Sequence, residues 1–147
     1  MAAQYPATEE TLTYATALII EPDESLRHLM ARVLAPVGFD VIAPATGAAA
    51  LEGLASPAAV VVYDPDMLFQ GQDLEPEVHR LSQSGLPTIV VTGDQPLTRR
   101  TLAVEPVAYL GKPFDIDELV NAVGAASLTF SPRPGPDGAG WIEPVRI

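Results

Sequence analysis

Apolar and polar positions along the chain alternate between two rhythms. Short, largely apolar runs occur at Ala17-Leu18-Ile19-Ile20, Phe39-Asp40-Val41-Ile42, Ala59-Val60-Val61-Val62-Tyr63, Thr88-Ile89-Val90-Val91 and Val107-Ala108-Tyr109-Leu110. Runs this short, rich in branched residues and stopped by acid, Pro or Gly, predict strands, and the Val-rich central run one buried on both faces. Between them the apolar residues take helical spacing. Leu26, Leu29, Met30, Val33 and Leu34 form a stripe opening at Ser25 and closed by Pro36 and Gly38. Thr46 can cap a helix through Ala48, Ala49, Leu51 and Leu54, weakened by Gly53. Leu74, Val78 and Leu81 mark a third helix over 73–83, and a short, poorly patterned one covers 96–103. The last is the clearest: Asp115 with Glu118 makes a capping box ahead of Ile116, Leu119, Val120 and Val123.

Strand then helix, five times over, predicts an α/β fold: a doubly wound parallel sheet with helices on both faces. The folded unit spans residues 16–126. Residues 1–15 form a polar N-terminal extension, and 127–147 form a Pro/Gly-rich tail with no core pattern. Trp141 in that tail is either an anchor for the tail or a partner contact.

Composition narrows the function classes. A hydrophobic fraction of 48% and a mean hydropathy of +0.21 suit a packed globule. A net charge of −11 argues against nucleic-acid and anionic-membrane partners. The absence of cysteine removes disulfides and thiolate metal sites, and two histidines are too few for a His-based metal cluster. No apolar run approaches a membrane span, and the start of the chain lacks the basic and apolar parts of a signal peptide; a cytoplasmic location is expected.

What changes the picture is where the polar residues fall. Glu21 follows the first strand, Asp64 the third, Thr92 the fourth and Lys112 the fifth. Parallel strands share one carboxyl edge, so four separate segments bring two acids, a hydroxyl and an ammonium into one crevice. That set suits metal-assisted phosphoryl chemistry. Mg²⁺ takes hard oxygen ligands, Lys and hydroxyl groups neutralise phosphoryl oxygens, and an Asp can itself be the nucleophile. Alone, each residue has a plainer reading. Asp64 could be a turn residue before Pro, Lys112 a surface lysine, Tyr109 a core aromatic; His28 and His79 read as solvated helix residues.

From about residue 16 to 126 the chain resembles a response-regulator receiver domain of two-component signalling. The matching parts are Leu18-Ile19-Ile20-Glu21-Pro22-Asp23-Glu24-Ser25-Leu26-Arg27, Val61-Val62-Tyr63-Asp64-Pro65-Asp66-Met67, Pro87-Thr88-Ile89-Val90-Val91-Thr92 and Tyr109-Leu110-Gly111-Lys112-Pro113-Phe114. The resemblance implies a flavodoxin-like three-layer sandwich with strand order 2-1-3-4-5. It implies that Asp64 is the phosphoacceptor, that Lys112 contacts the phosphate, and that Thr92 and Tyr109 are the switch residues. Mg²⁺ would be held by Glu21, Asp64 and the backbone carbonyl of Asp66, and the Lys112-Pro113 bond would be cis. The implied partners are a histidine kinase or phosphotransfer protein and an unknown downstream protein. Helix four, strand five and helix five offer a docking face, which could also serve a homodimer.

The sequence departs from the family pattern at the acid pair that usually ends the first strand. Those positions are Glu21 and Pro22, and Pro22 has no side-chain oxygen, so the expected Mg²⁺ site is weakened; Asp23 could substitute if the loop bends. Leu68 stands where the family has Pro, and the fourth helix is short. The expected function is a stand-alone receiver accepting phosphate on Asp64 and signalling through protein–protein contacts. It is not expected to be an enzyme beyond self-catalysed phosphoryl acceptance and loss. The alternatives are a phosphorylation-independent pseudo-receiver and a small phosphatase using Asp64 as transient nucleophile; the phosphatase lacks a second placed acid/base and a substrate cap.

Overall fold

The computed structural model describes residues 15–129 apart from residue 57. The extension ahead of residue 15, and the tail beyond 129 with Trp141, lie outside the described residues. The elements run β1 (Thr16–Ile20), α1 (Glu24–Leu34), a 3₁₀ turn (Ala35–Val37), β2 (Asp40–Ile42), α2 (Gly47–Leu54) and β3 (Val60–Tyr63). They continue through α3 (Glu75–Gln83), β4 (Thr88–Thr92), α4 (Gln95–Thr101), β5 (Ala108–Gly111) and α5 (Ile116–Thr129). The strands form one parallel sheet in the order β2-β1-β3-β4-β5, as expected.

Strand alternation divides the core into two layers. Ala17, Ile19, Val60, Val62, Ile89 and Val91 pack on Met30 and Leu34 of α1 and Leu119 and Val123 of α5. Leu18, Ile20, Val61, Tyr63 and Val90 face the other way, onto Ala50 and Leu54 of α2, Val78 of α3 and Leu74 just ahead of it. Burial on both faces is why β1, β3 and β4 are solidly apolar, whereas the edge strand β2 tolerates an exposed Asp40. Register then fixes the functional edge. Ile20 lies opposite Tyr63 and Thr92 opposite Gly111. The ladder runs one residue further, with the Asp64 amide donating to the Ile20 carbonyl (3.0 Å) and the Lys112 amide to the Thr92 carbonyl (2.9 Å).

The structure corrects several local expectations. Helix α1 opens at Glu24 with Asp23 as N-cap, whose carboxylate accepts from the Leu26 amide at 3.2 Å; Ser25 lies inside the helix. The buried face of α1 is Arg27, Met30 and Leu34, so Leu29 is exposed. Ile116 is likewise exposed on α5. Both line a groove of about 460 Å³ between α1 and the β5–α5 connection, beside Leu26, Met30 and Phe114. Residues 127–129, expected in the tail, continue α5. Gly53 has a packing reason: a Cβ there would stand 2.9 Å from the Leu18 side chain, so the glycine lets α2 approach β1. His28 is exposed, but His79 is half-buried, and its Nδ1 is covered, with no hydrogen-bond partner among the described residues.

Candidate functional site

Asp64 is buried at the end of β3. Its Oδ2 accepts from Lys112 Nζ at 2.5 Å and its Oδ1 from the Asp66 amide at 2.7 Å. The Lys112-Pro113 bond is cis, as expected. Glu21 is the other acid of the crevice, only 1% exposed, with Oε1 3.5 Å from Lys112 Nζ and Oε2 accepting from the Asp23 amide at 3.1 Å. Three of the four predicted edge residues therefore meet directly. Thr92, the fourth, is wholly buried but reaches the cluster through Asp66 instead: its hydroxyl donates to Asp66 Oδ1 at 2.7 Å.

The electrostatics follow from burial. Desolvation, then hydrogen bonding to and repulsion from Asp64, push the Glu21 carboxyl up to about 8. At neutral pH it is therefore mostly a neutral acid, and the ion pair of the crevice is Lys112 with Asp64. Burial alone would lower Lys112, but the Asp64 hydrogen bond and charge, with Glu21 and Asp66, outweigh it and raise it. Lys112 is thus held as an ammonium beside the Asp64 carboxylate. The Tyr63 phenol is also raised, first by burial and then by Glu75, Asp73 and Asp64, which keeps it neutral.

The metal expectations can be set against this geometry. Pro22 offers no side-chain oxygen, and the exposed Asp23 carboxylate is engaged in capping α1. Among the described residues no group of three or more His, Cys, Asp or Glu is arranged to hold a metal ion. What remains is Glu21 and Asp64, and Glu21 Oε1 is a buried oxygen with no hydrogen-bond partner among the described residues. Mg²⁺ needs only one or two protein carboxylates, since waters and phosphate oxygens complete its shell, so the donor set fits at its minimum.

Four contributors escaped the sequence reading. Arg27 is buried and its Nη1 donates to the Glu21 carbonyl at 3.2 Å and the Pro22 carbonyl at 3.5 Å, bracing the β1–α1 turn. Its place at i, i+3 and i+7 with Met30 and Leu34 was the available signal. Thr98 of α4 is buried against Thr92, with their hydroxyls 2.8 Å apart. Arg99 stacks on Tyr109, its guanidinium carbon 4.0 Å from the ring centroid. The Asp66 side chain, expected only through its carbonyl, is a central connector.

No protein-family model matches the chain. It is 31% identical over 122 residues to nodulation protein W of Bradyrhizobium diazoefficiens, covering 80% of this chain and 53% of that protein. It is 30% identical over 126 residues to response regulator MprA of a Mycobacterium species (strain KMS), covering 82% and 54%. A crystal structure described as a response regulator candidate from Chloroflexus aurantiacus superposes with a TM-score of 0.67 at 26% identity, over 78% of this chain and 98% of that one. The chain carries a response-regulator receiver domain. Its fold is also that of the receiver domain of the sensor histidine kinase PA1611 from Pseudomonas aeruginosa, solved with magnesium in its active-site cleft (TM-score 0.63, 19% identity, 78% and 98% covered). The chain spans about half the length of the two curated relatives. Among the described residues no helix is long and apolar enough to cross a membrane.

Proposed function

We propose that this receiver accepts a phosphoryl group on Asp64 and passes the change on through protein contacts. The observation that carries this reading is the Lys112–Asp64 pair at 2.5 Å, held by ladder hydrogen bonds from β1 and β4 at the carboxyl edge of the sheet. Asp64 Oδ2 is the nucleophile: it forms a bond to phosphorus as the bond from phosphorus to the donor's leaving group breaks. Lys112, fixed as an ammonium, neutralises the incoming oxygens. Glu21, Asp64 and the Asp66 carbonyl would hold Mg²⁺, which supplies further neutralisation of phosphoryl charge.

The donor is a histidine kinase or phosphotransfer protein, and the groove beside Lys112, with exposed Leu29 and Ile116, gives it an apolar seat next to the acceptor. Output lies on the face of α4, β5 and α5, where Leu97 and Val107 are exposed and Tyr109 stands under Arg99. That face docks a downstream protein or a second copy of the chain, and the whole acts in the cytoplasm. Borohydride reduction after treatment with an acyl-phosphate donor tests the reading, because an aspartyl phosphate is converted to homoserine. Homoserine at position 64 in a peptide map is the expected result; homoserine elsewhere, or none, refutes it.

A second reading, the phosphorylation-independent interaction module, is favoured by one observation. Pro22 offers no second side-chain ligand beside Glu21, and Lys112 already pairs with Asp64 without metal. In that reading Asp64 and Lys112 serve only as a structural pair.

A further inference from the structure

Asp66 uses its amide and both carboxylate oxygens to join two segments. Its amide donates to Asp64 Oδ1, its Oδ1 accepts from the Thr92 hydroxyl at 2.7 Å, and its Oδ2 accepts from the Gly93 amide at 2.8 Å. The Thr92 hydroxyl is fully committed as a result. A hydroxyl has one proton to donate and two lone pairs to accept with. The proton goes to the Asp66 carboxylate. The Asp94 amide donates into the oxygen at 3.1 Å, and Thr98, 2.8 Å away, must then be the donor of their mutual bond. Nothing is left on Thr92 for a phosphoryl oxygen unless a partner withdraws. Asp66 is the one to go: it is exposed, whereas Thr98 is buried and the Asp94 amide is fixed by the turn into α4. The charge of Asp66 also reaches Lys112, so this carboxylate and a phosphoryl group on Asp64 would compete for the same field and the same donors.

We infer that the Asp66 carboxylate is an internal anion that occupies the Thr92 hydroxyl and the Gly93 amide in the unmodified protein, and that a phosphoryl group on Asp64 must displace it. The displacement half rests on the reading of Asp64 as acceptor. Asp66 is thereby a positioning residue: it holds the β4–α4 turn in an anion-bound arrangement before any phosphoryl transfer and slows entry of the external anion.

Two readouts on the full chain separate these parts, using wild type, Asp66→Ala and Asp66→Asn. Amide hydrogen exchange at Gly93, followed by NMR, reads the contact without any phosphoryl donor. It is expected to be about fivefold faster in Asp66→Ala, the size of one modest hydrogen bond, with Asp66→Asn between the two because its amide oxygen restores an acceptor. Unchanged exchange at β3 and β4 core amides confirms that the variants are folded. The initial rate of adduct formation with acetyl phosphate and Mg²⁺ reads the competition, and is expected to rise several-fold in Asp66→Ala. Gly93 exchange equal in wild type and Asp66→Ala overturns the internal anion; an adduct rate that is unchanged or falls overturns the displacement. Should no variant form an adduct, the acceptor reading fails and the displacement with it, while Gly93 exchange still decides the internal anion.

Discussion

Glu21 is a carboxyl placed where it cannot comfortably be charged. Its Oε1 makes no hydrogen bond among the described residues, and the Lys112 ammonium, 3.5 Å from it, is closer to Asp64. Burial and the Asp64 charge raise it from 4.5 to about 8. The consequence for stability has a definite sign. Between these two values the folded protein binds the proton that the unfolded chain has released, so unfolding free energy falls as pH rises across that window. The contribution of Glu21 is fully present below about pH 4.5 and lost above about pH 8. In the presence of a chelator, the thermal midpoint of Glu21→Gln should therefore show a weaker decline than wild type between these pH values. Parallel profiles for the two proteins would mean that Glu21 is ionised in the fold. The type and place of this residue were legible in the sequence, at the end of an apolar run. Its neutrality was not, because that depends on how β1 and β3 set two carboxyls side by side.

At the scale of elements, the turn from β1 to α1 sets which oxygens would be open to a metal in the proposed site. Asp23 is drawn into the N-cap, Arg27 ties down the carbonyls of Glu21 and Pro22, and Pro22 presents no oxygen. Restoring an acid with Pro22→Asp is expected to raise Mg²⁺ affinity by about tenfold, or ~1.4 kcal/mol, in a titration followed by NMR. Unchanged affinity would show that the side chain at position 22 does not face the crevice. The strands and the order of elements were readable because strands buried on both faces leave solid apolar runs with no competing pattern. Helix faces were less readable. Asp23 and Ser25 are both good caps, and only the backbone conformation selects Asp23. Leu29 and Ile116 fit an apolar stripe yet border an open groove, while Arg27 turns inward because the main-chain carbonyls of the β1–α1 turn give its guanidinium partners. The Asp66–Thr92 link joins residues 26 apart, and no local pattern announces it.

For the molecule as a whole, the parallel sheet converts four sequence segments into one polar edge over a largely apolar core. The strands β1, β3 and β4 contribute the fully buried Ala17, Ile19, Val60, Val61, Ile89, Val90 and Val91, so the crevice rests on a close-packed floor that cannot readily shift. On the proposed function, a chain of net charge −11 would gain further negative charge at Asp64, with the Lys112 ammonium already 2.5 Å from that carboxylate. The proposed function requires this edge to accept a phosphoryl group with Pro22 beside Glu21. It is tested most directly by the intact mass of wild type and Asp64→Asn after incubation with a small acyl-phosphate donor, with and without Mg²⁺. A single phosphoryl adduct on wild type only, dependent on Mg²⁺, is the predicted result. A folded wild-type protein that takes up no phosphoryl group under either condition would contradict it.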